Sequence, residues 1–165
     1  FNQLLENVKK NNNKIIRAEA GQHIQVGCCS LLEILWPNKN PPQDSNDKSV
    51  AMIFKYKDFD IYLAGDLGYE IEEEITTGLE KSIEVMKLSH HGSRTSTSEK
   101  TLTNISPEIG LISLGRNNKF GHPHEEVTNL LKEHNINILR TDLHGTISIS
   151  SDGSSGRMKI KKGNI

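Results

Sequence analysis

The sequence has no C-x-x-C pair, no long apolar run, few aromatics and almost no net charge, and each shortage removes a class of protein. Its two cysteines, Cys28 and Cys29, are neighbours. Adjacent thiols rarely bridge to each other, and without C-x-x-C spacing a cysteine zinc site is not expected. On a strand they point to opposite faces, and we read them as packing residues. No apolar stretch approaches the roughly 18 residues of a membrane span, and no secretory leader is visible. A soluble domain is therefore expected. The formal net charge of −1 encodes no long-range attraction to nucleic acid or to an anionic membrane. The basic tail at 157–162 is a local exception, and it reads as a solvated edge strand guarded by lysines. Aromatic residues make up 5% of the chain, with one Trp, three Tyr and four Phe, so platforms for stacking bases are scarce.

What is present suffices for one domain. The 165 residues are 34% hydrophobic, enough for a modest core. Residues 1–11 resemble a short polar helix with Leu4, Leu5 and Val8 on one side, broken by the asparagines at 11–13. Residues 15–17 and 23–26 look like the arms of a hairpin. A strand is expected at 30–35, followed by an irregular loop at 37–47. Residues 50–54 and 61–64 read as strands joined by the polar turn Lys57-Asp58.

From Ile61 onward, strands and helices alternate. A helix is expected at 69–80, where Ile71, Ile75 and Leu79 recur at four-residue steps. A strand follows at 83–89, then a short helix beginning at Ser98 and ended by Pro107. Next come a strand at 109–114, a turn at 115–118 and an amphipathic helix at 125–134. Strands at 136–139 and 146–149 close the pattern. Such alternation predicts parallel crossovers, whereas the first 60 residues read as antiparallel hairpins. The fold class is thus α/β with a mixed sheet.

Three expected strand ends carry chemistry. Asp66 ends one, His90 and His91 end the next, and Gly121-His122-Pro123-His124 follows the third just before a helix. Parallel neighbours present their C-terminal ends on one edge of the sheet, so these groups are placed to converge. Imidazole and carboxylate suit zinc, and also manganese or iron. In an extended segment His122 and His124 project to opposite sides, so one of them faces the ion. Each residue also has a plain role available. Asp66 can cap a helix, and the histidines can be ordinary loop residues. His23, His134 and His144 are read as structural.

The segments DIYLAGDL (60–67), VMKLSHHGSRTS (85–96) and SLGRNNKFGHPHEEV (113–127) resemble the metallo-β-lactamase-like domain of ComEC/Rec2-type competence proteins and their freestanding relatives. RTDLHGT (140–146) resembles the closing hairpin of that family, and NDKS (46–49) its asparagine–serine segment. The resemblance implies the second half of an αββα sandwich and a metal-dependent hydrolase using two divalent ions, zinc or manganese. Asp66 would lie between the two ions, and His122 would be the late histidine ligand with His124 as the other candidate. His90, His91 and Ser93 would line the pocket, with Thr95 and Ser96 also placed to bond phosphate oxygens. One histidine of the 90–91 pair would meet metal or substrate phosphate. Asn46 and Ser49 would stand where many relatives carry a further metal histidine, which this chain lacks.

The family's H-x-H-x-D-H motif is absent from the sequence. With Phe1 in place of Met, residues 1–165 are expected to be a single domain forming the C-terminal part of the fold, with its other half upstream. Such a half is expected to self-associate or to need a complementary chain. The substrate implied is a phosphodiester, DNA by analogy. A lactone, thioester or small phosphoester, or a non-catalytic scaffold or partner-binding module, are the alternatives. A ComEC-type parent would place the domain outside the cytoplasm, and a freestanding relative inside it.

Overall fold

The computed structural model describes residues 2–42, 44–79, 82–154 and 158–163. Phe1, Gln43 in the expected long loop, Glu80 at the expected end of a helix and Arg157 of the basic tail lie outside these residues. A short helix, α1 (Asn2–Lys10), precedes a run of strands: β1 (His23–Val26), β2 (Ser30–Trp36), β3 (Ala51–Tyr56) and β4 (Phe59–Leu63). Helices and strands then alternate as α2 (Tyr69–Thr76), β5 (Val85–Lys87), α3 (Glu99–Ile105), β6 (Ile109–Ile112), α4 (Glu125–Glu133) and β7 (Asn137–Arg140). A four-residue helix, α5 (Thr141–His144), leads into β8 (Ile147–Ser151) and β9 (Met158–Lys162).

Strands β1 to β7 form one seven-stranded sheet in strict sequence order. The pairs β1–β2, β2–β3 and β3–β4 are antiparallel, and β4–β5, β5–β6 and β6–β7 are parallel. The change of sense falls at β4, which a two-residue turn at 57–58 joins to β3 and after which the connections become helical crossovers. Alternation along the strands sorts side chains to two faces. Tyr62, Met86, Leu88 and Ile112 pack under Leu102 and Ile105 of α3 and Val127 and Leu131 of α4. Phe59, Val85, Ile109 and Leu139 face the other way, against Ile147, Ile149 and Met158 of the β8–β9 hairpin. Helices therefore cover one face and a second, smaller sheet covers part of the other. This layering matches the α/β expectation for half of an αββα sandwich.

Helix boundaries follow local chemistry. Ser98 caps α3 by accepting the Thr101 amide at 3.2 Å, and Ser106 ends it in a left-handed conformation (φ 41°), just before Pro107. In α4 the apolar positions Val127 and Leu131, four residues apart, are its buried residues. Truncating Leu131, which is fully buried, is a change of the type that costs about 2–5 kcal/mol.

Several local expectations are corrected. Residues 15–17 form no strand, and Ile15 and Ile16 are exposed. Two adjacent isoleucines do not alternate, so they define no buried face. The partner of β1 is β2, in register Val26↔Ser30. Its turn contains Gly27 (φ 65°) and both cysteines. Cys28 and Cys29 are thus exposed turn residues and not packing residues. His23 lies exposed on β1. The 140–146 segment is not a hairpin but the short helix α5, pinned by a two-pronged Arg140–Asp142 ion pair at 3.0 and 2.6 Å. Residues 77–79 lie beyond the end of α2.

Candidate metal centre

The loops after β4, β5 and β6 lie side by side because their strands are neighbours in the parallel half of the sheet. After β4 the chain turns at Gly65 (φ 64°), where an added Cβ would lie 2.7 Å from Ser49 Cβ. This position needs glycine for its conformation and for its space. Ser49 Oγ accepts the Asp66 amide at 3.0 Å, and Asp47 Oδ1 accepts the Gly68 amide at 3.4 Å. The 46–49 segment is therefore seated against the Asp66 turn. Its contribution comes through hydroxyl and carboxylate acceptors.

After β5 the chain makes a 3₁₀ turn at Ser89–Gly92 in which His90 (φ 43°), His91 (φ 55°) and Gly92 (φ 77°) are all left-handed. Non-glycine residues there cost roughly 1–3 kcal/mol each and persist where surrounding contacts fix them. Those contacts are visible. The Gly65 carbonyl accepts the His90 amide at 3.2 Å and the Lys87 ammonium at 3.0 Å. Ser89 Oγ donates to the Leu67 carbonyl at 2.7 Å, and the Gly92 carbonyl accepts the His124 amide at 3.0 Å. A Cβ on Gly92 would lie 2.8 Å from Pro123 Cβ, so the two loops touch there.

The turn aims the imidazoles. His91 Nδ1 meets the Ser113 carbonyl at 2.5 Å. A carbonyl only accepts, so Nδ1 carries the proton and Nε2 keeps its lone pair. That Nε2 lies 3.8 Å from Asp66 Oδ1, with both side chains 43% exposed. Two donors each about 2.0–2.2 Å from one zinc ion are at most about 4 Å apart, so this pair can share an ion. The ring of His122 stands 6.4 Å from that of His91, 5.5 Å from His90 and 5.0 Å from His124. Partial burial, and then the charges that His124, His90 and His91 can carry, lower the pKa of His122 below its usual 6.5. A neutral imidazole is the form a metal binds. His124 differs. Its Nδ1 accepts the Arg94 amide at 3.1 Å, so in the neutral ring Nε2 holds the proton and is a donor. Of the 122/124 pair, His122 is the one with a lone pair to offer.

Ser93 and Ser96 do not turn their hydroxyls to the rim. Ser93 is buried beside Thr95 Oγ1 at 3.0 Å, and Ser96 donates to the Ser89 and Ser93 carbonyls at 3.0 and 2.8 Å. They brace the loop. Sequence reasoning also missed three supports. Asn118 clamps His122, accepting its amide at 2.9 Å and donating to its carbonyl at 2.7 Å. Lys87 sits partly buried, where burial lowers its pKa against the raising influence of Asp66 and then Glu72. Behind it, fully buried Glu72 accepts the Thr97 amide at 2.7 Å and hydroxyl at 3.1 Å, and meets the Tyr62 hydroxyl at 3.3 Å. Desolvation raises Glu72 from 4.5 to about 7. The NN in the 115–118 turn was a visible signal for Asn118.

Among the described residues, no three His, Cys, Asp or Glu side chains stand close enough to hold an ion together. Asp66 and His91 fit as two donors, and His122 lies nearby.

No family model matches the sequence. Three curated relatives do. The chain is 32% identical over 159 residues to ComE operon protein 3 of Bacillus subtilis, covering 96% of this chain and 20% of that protein. It is 35% identical over 117 residues to competence protein ComA of Neisseria gonorrhoeae, covering 70% and 17% of the two chains. This chain is a homologue of the ComEC/Rec2-type competence proteins. Recombination protein 2 of Haemophilus influenzae aligns with this ComEC/Rec2-type chain at 30% identity over 118 residues, 72% of this chain and 15% of that one. The ComEC/Rec2-type chain thus spans about a fifth of the longest-matching relative, or less of the others. Among solved structures it shares its fold with a Parabacteroides distasonis protein whose name gives metal-dependent hydrolase as a provisional assignment. The TM-score is 0.52 at 18% identity, over 83% of this chain and 62% of that one. The likeness shows a shared fold, and the mixed seven-stranded sheet of this ComEC/Rec2-type chain is that of an α/β sandwich. No helix among its described residues is long and apolar enough to cross a membrane.

Proposed function

We propose that the rim formed by Asp66, His91 and His122 is the C-terminal share of a metal-dependent phosphodiesterase site whose substrate is DNA. The observation that carries this reading is the His91 ring, fixed by Ser113 with its Nε2 3.8 Å from Asp66 Oδ1. A bound divalent ion supplies an activated water at neutral pH and polarises the phosphoryl oxygen. The chain's own residues do the rest. Asp66 and His91 would hold the ion, and His122 borders them, its ring 6.4 Å from that of His91. His124 presents an Nε2–H to a phosphate oxygen, and His90 stands edge-on to His122 on the same rim. Two donors do not complete a site, so further donors would have to come from elsewhere in the intact protein.

The test is hydrolysis of single-stranded DNA by the intact protein with added Zn²⁺ or Mn²⁺, alongside its bound metal content. Asp66→Ala is expected to abolish hydrolysis and to lower metal content. Unchanged activity and metal content in that variant overturn the reading. One observation favours a second reading. The incomplete donor set suits a module that binds nucleic acid through its histidines without cleaving it. Binding by the intact protein, with no metal-stimulated hydrolysis, selects that alternative.

A further inference from the structure

Beside the histidine rim lies a cleft of about 190 Å³ lined by His91, Leu114, Gly115, Asn118, Phe120 and His122. Phe120 is 68% exposed, although a bare phenyl ring is poorly placed in water. Its ring lies 5.9 Å from that of His122 at an interplanar angle of 27°, and His122 lies 6.4 Å from His91 at 25°. The three rings therefore form a near-parallel ladder running outward from the Asp66–His91 pair. The Lys119 ammonium stands 5.8 Å from the centre of the Phe120 ring, so a cation borders the outermost rung.

We infer that this cleft is a nucleobase subsite in which Phe120 stacks on the base adjoining the phosphate held at the rim. The inference rests on the phosphodiesterase reading and adds to it how the strand is gripped. A flat apolar ring with one open side, a cationic neighbour and phosphate-binding groups a few ångströms inward match the alternating chemistry of base and phosphate. The one amide side chain that lines the cleft is not free to read a base edge. Both ends of the Asn118 amide are spent, on the His122 amide, the His122 carbonyl and the Gly115 carbonyl. Leu114 and Gly115 line it with an aliphatic side chain and a bare backbone. Stacking without edge recognition makes the grip indifferent to sequence.

The experiment measures binding of oligothymidylate, and of an abasic strand of equal length, to the intact protein and to Phe120→Ala and Phe120→Trp. The wild-type preference for the base-bearing strand is expected to fall at least roughly fivefold in Phe120→Ala, the low end of what one stacked base contributes. Phe120→Trp is expected to retain the preference, and its added indole to be quenched by oligothymidylate. Oligoadenylate is expected to behave like oligothymidylate. An unchanged preference in Phe120→Ala, or an indole in Phe120→Trp that no oligonucleotide quenches, overturns the subsite. If Asp66-dependent hydrolysis persists alongside either result, the subsite alone has failed. If that hydrolysis is absent, the phosphodiesterase reading has failed with it.

Discussion

Replacing Glu72 by Gln should make the protein more stable at pH 8 than the wild type. Glu72 is fully buried on α2, and desolvation lifts its carboxyl from 4.5 to about 7. Between those values the folded protein holds a proton that the unfolded chain has released. Folding stability therefore falls as pH rises from about 4.5 to about 7, and levels off above. At about 1.4 kcal/mol per pH unit, the interval corresponds to a loss on the order of 3 kcal/mol. Glutamine keeps the packing. Its amide oxygen can accept from Thr97, and its amide nitrogen can donate to the Tyr62 hydroxyl. It does not ionise, so the loss disappears. The assay is urea unfolding from pH 4.5 to 8, followed by the fluorescence of Trp36, the sole and buried tryptophan. Titrating groups that do not interact with Glu72 act on both proteins alike and cancel in the difference. The gap between variant and wild type should open between pH 4.5 and 7. A gap that stays flat across this range would falsify the claim, since the two Thr97 donors would then be holding Glu72 as the anion.

Other substitutions probe the loops. Gly92→Ala places a side chain at φ 77° and 2.8 Å from Pro123, and should cost more than about 1 kcal/mol in urea unfolding, the penalty of the left-handed conformation alone. Ser49→Ala removes the acceptor of the Asp66 amide. It should lower stability by about 1 kcal/mol, and should weaken Zn²⁺ binding by the intact protein more than the same change at exposed Ser148. Arg140 holds the Asp142 carboxyl below its ordinary value. Its contribution is present at neutral pH and is lost as pH falls below about 4. Asp142→Asn should therefore be less stable than wild type at pH 7, and the gap should shrink as pH falls below about 4 in the same unfolding assay.

The sheet was legible because its strands obey simple patterns. Turn residues at 57–58 and helical spacing at 71, 75 and 79 mark where antiparallel pairing gives way to crossovers. The meeting of Asp66 with His91 followed from that topology. Contacts between distant segments were not legible. Glu72 stands among Glu70, Glu73 and Glu74, and nothing in the sequence says which of them folding will bury. Ser93 and Ser96 look like phosphate ligands in a run of hydroxyls, but their geometry spends them on the loop itself. Cysteines beside Gly27 were assigned to a strand because the turn that holds them depends on pairing with β2, not on local propensity. His122 and His124 were separated only by the partners of their ring nitrogens.

The strict order of the seven strands bears on how the molecule assembles. Every strand after the first finds its hydrogen-bonding neighbour already made as the chain emerges during synthesis. Growth can proceed by addition at a single edge, with short loop closures at each step. The three loops of the histidine rim come from consecutive additions, so the rim is finished only when β6 has docked and α4 has closed over it. Until then Asp66 and His91 are solvent-facing side chains on an unfinished edge.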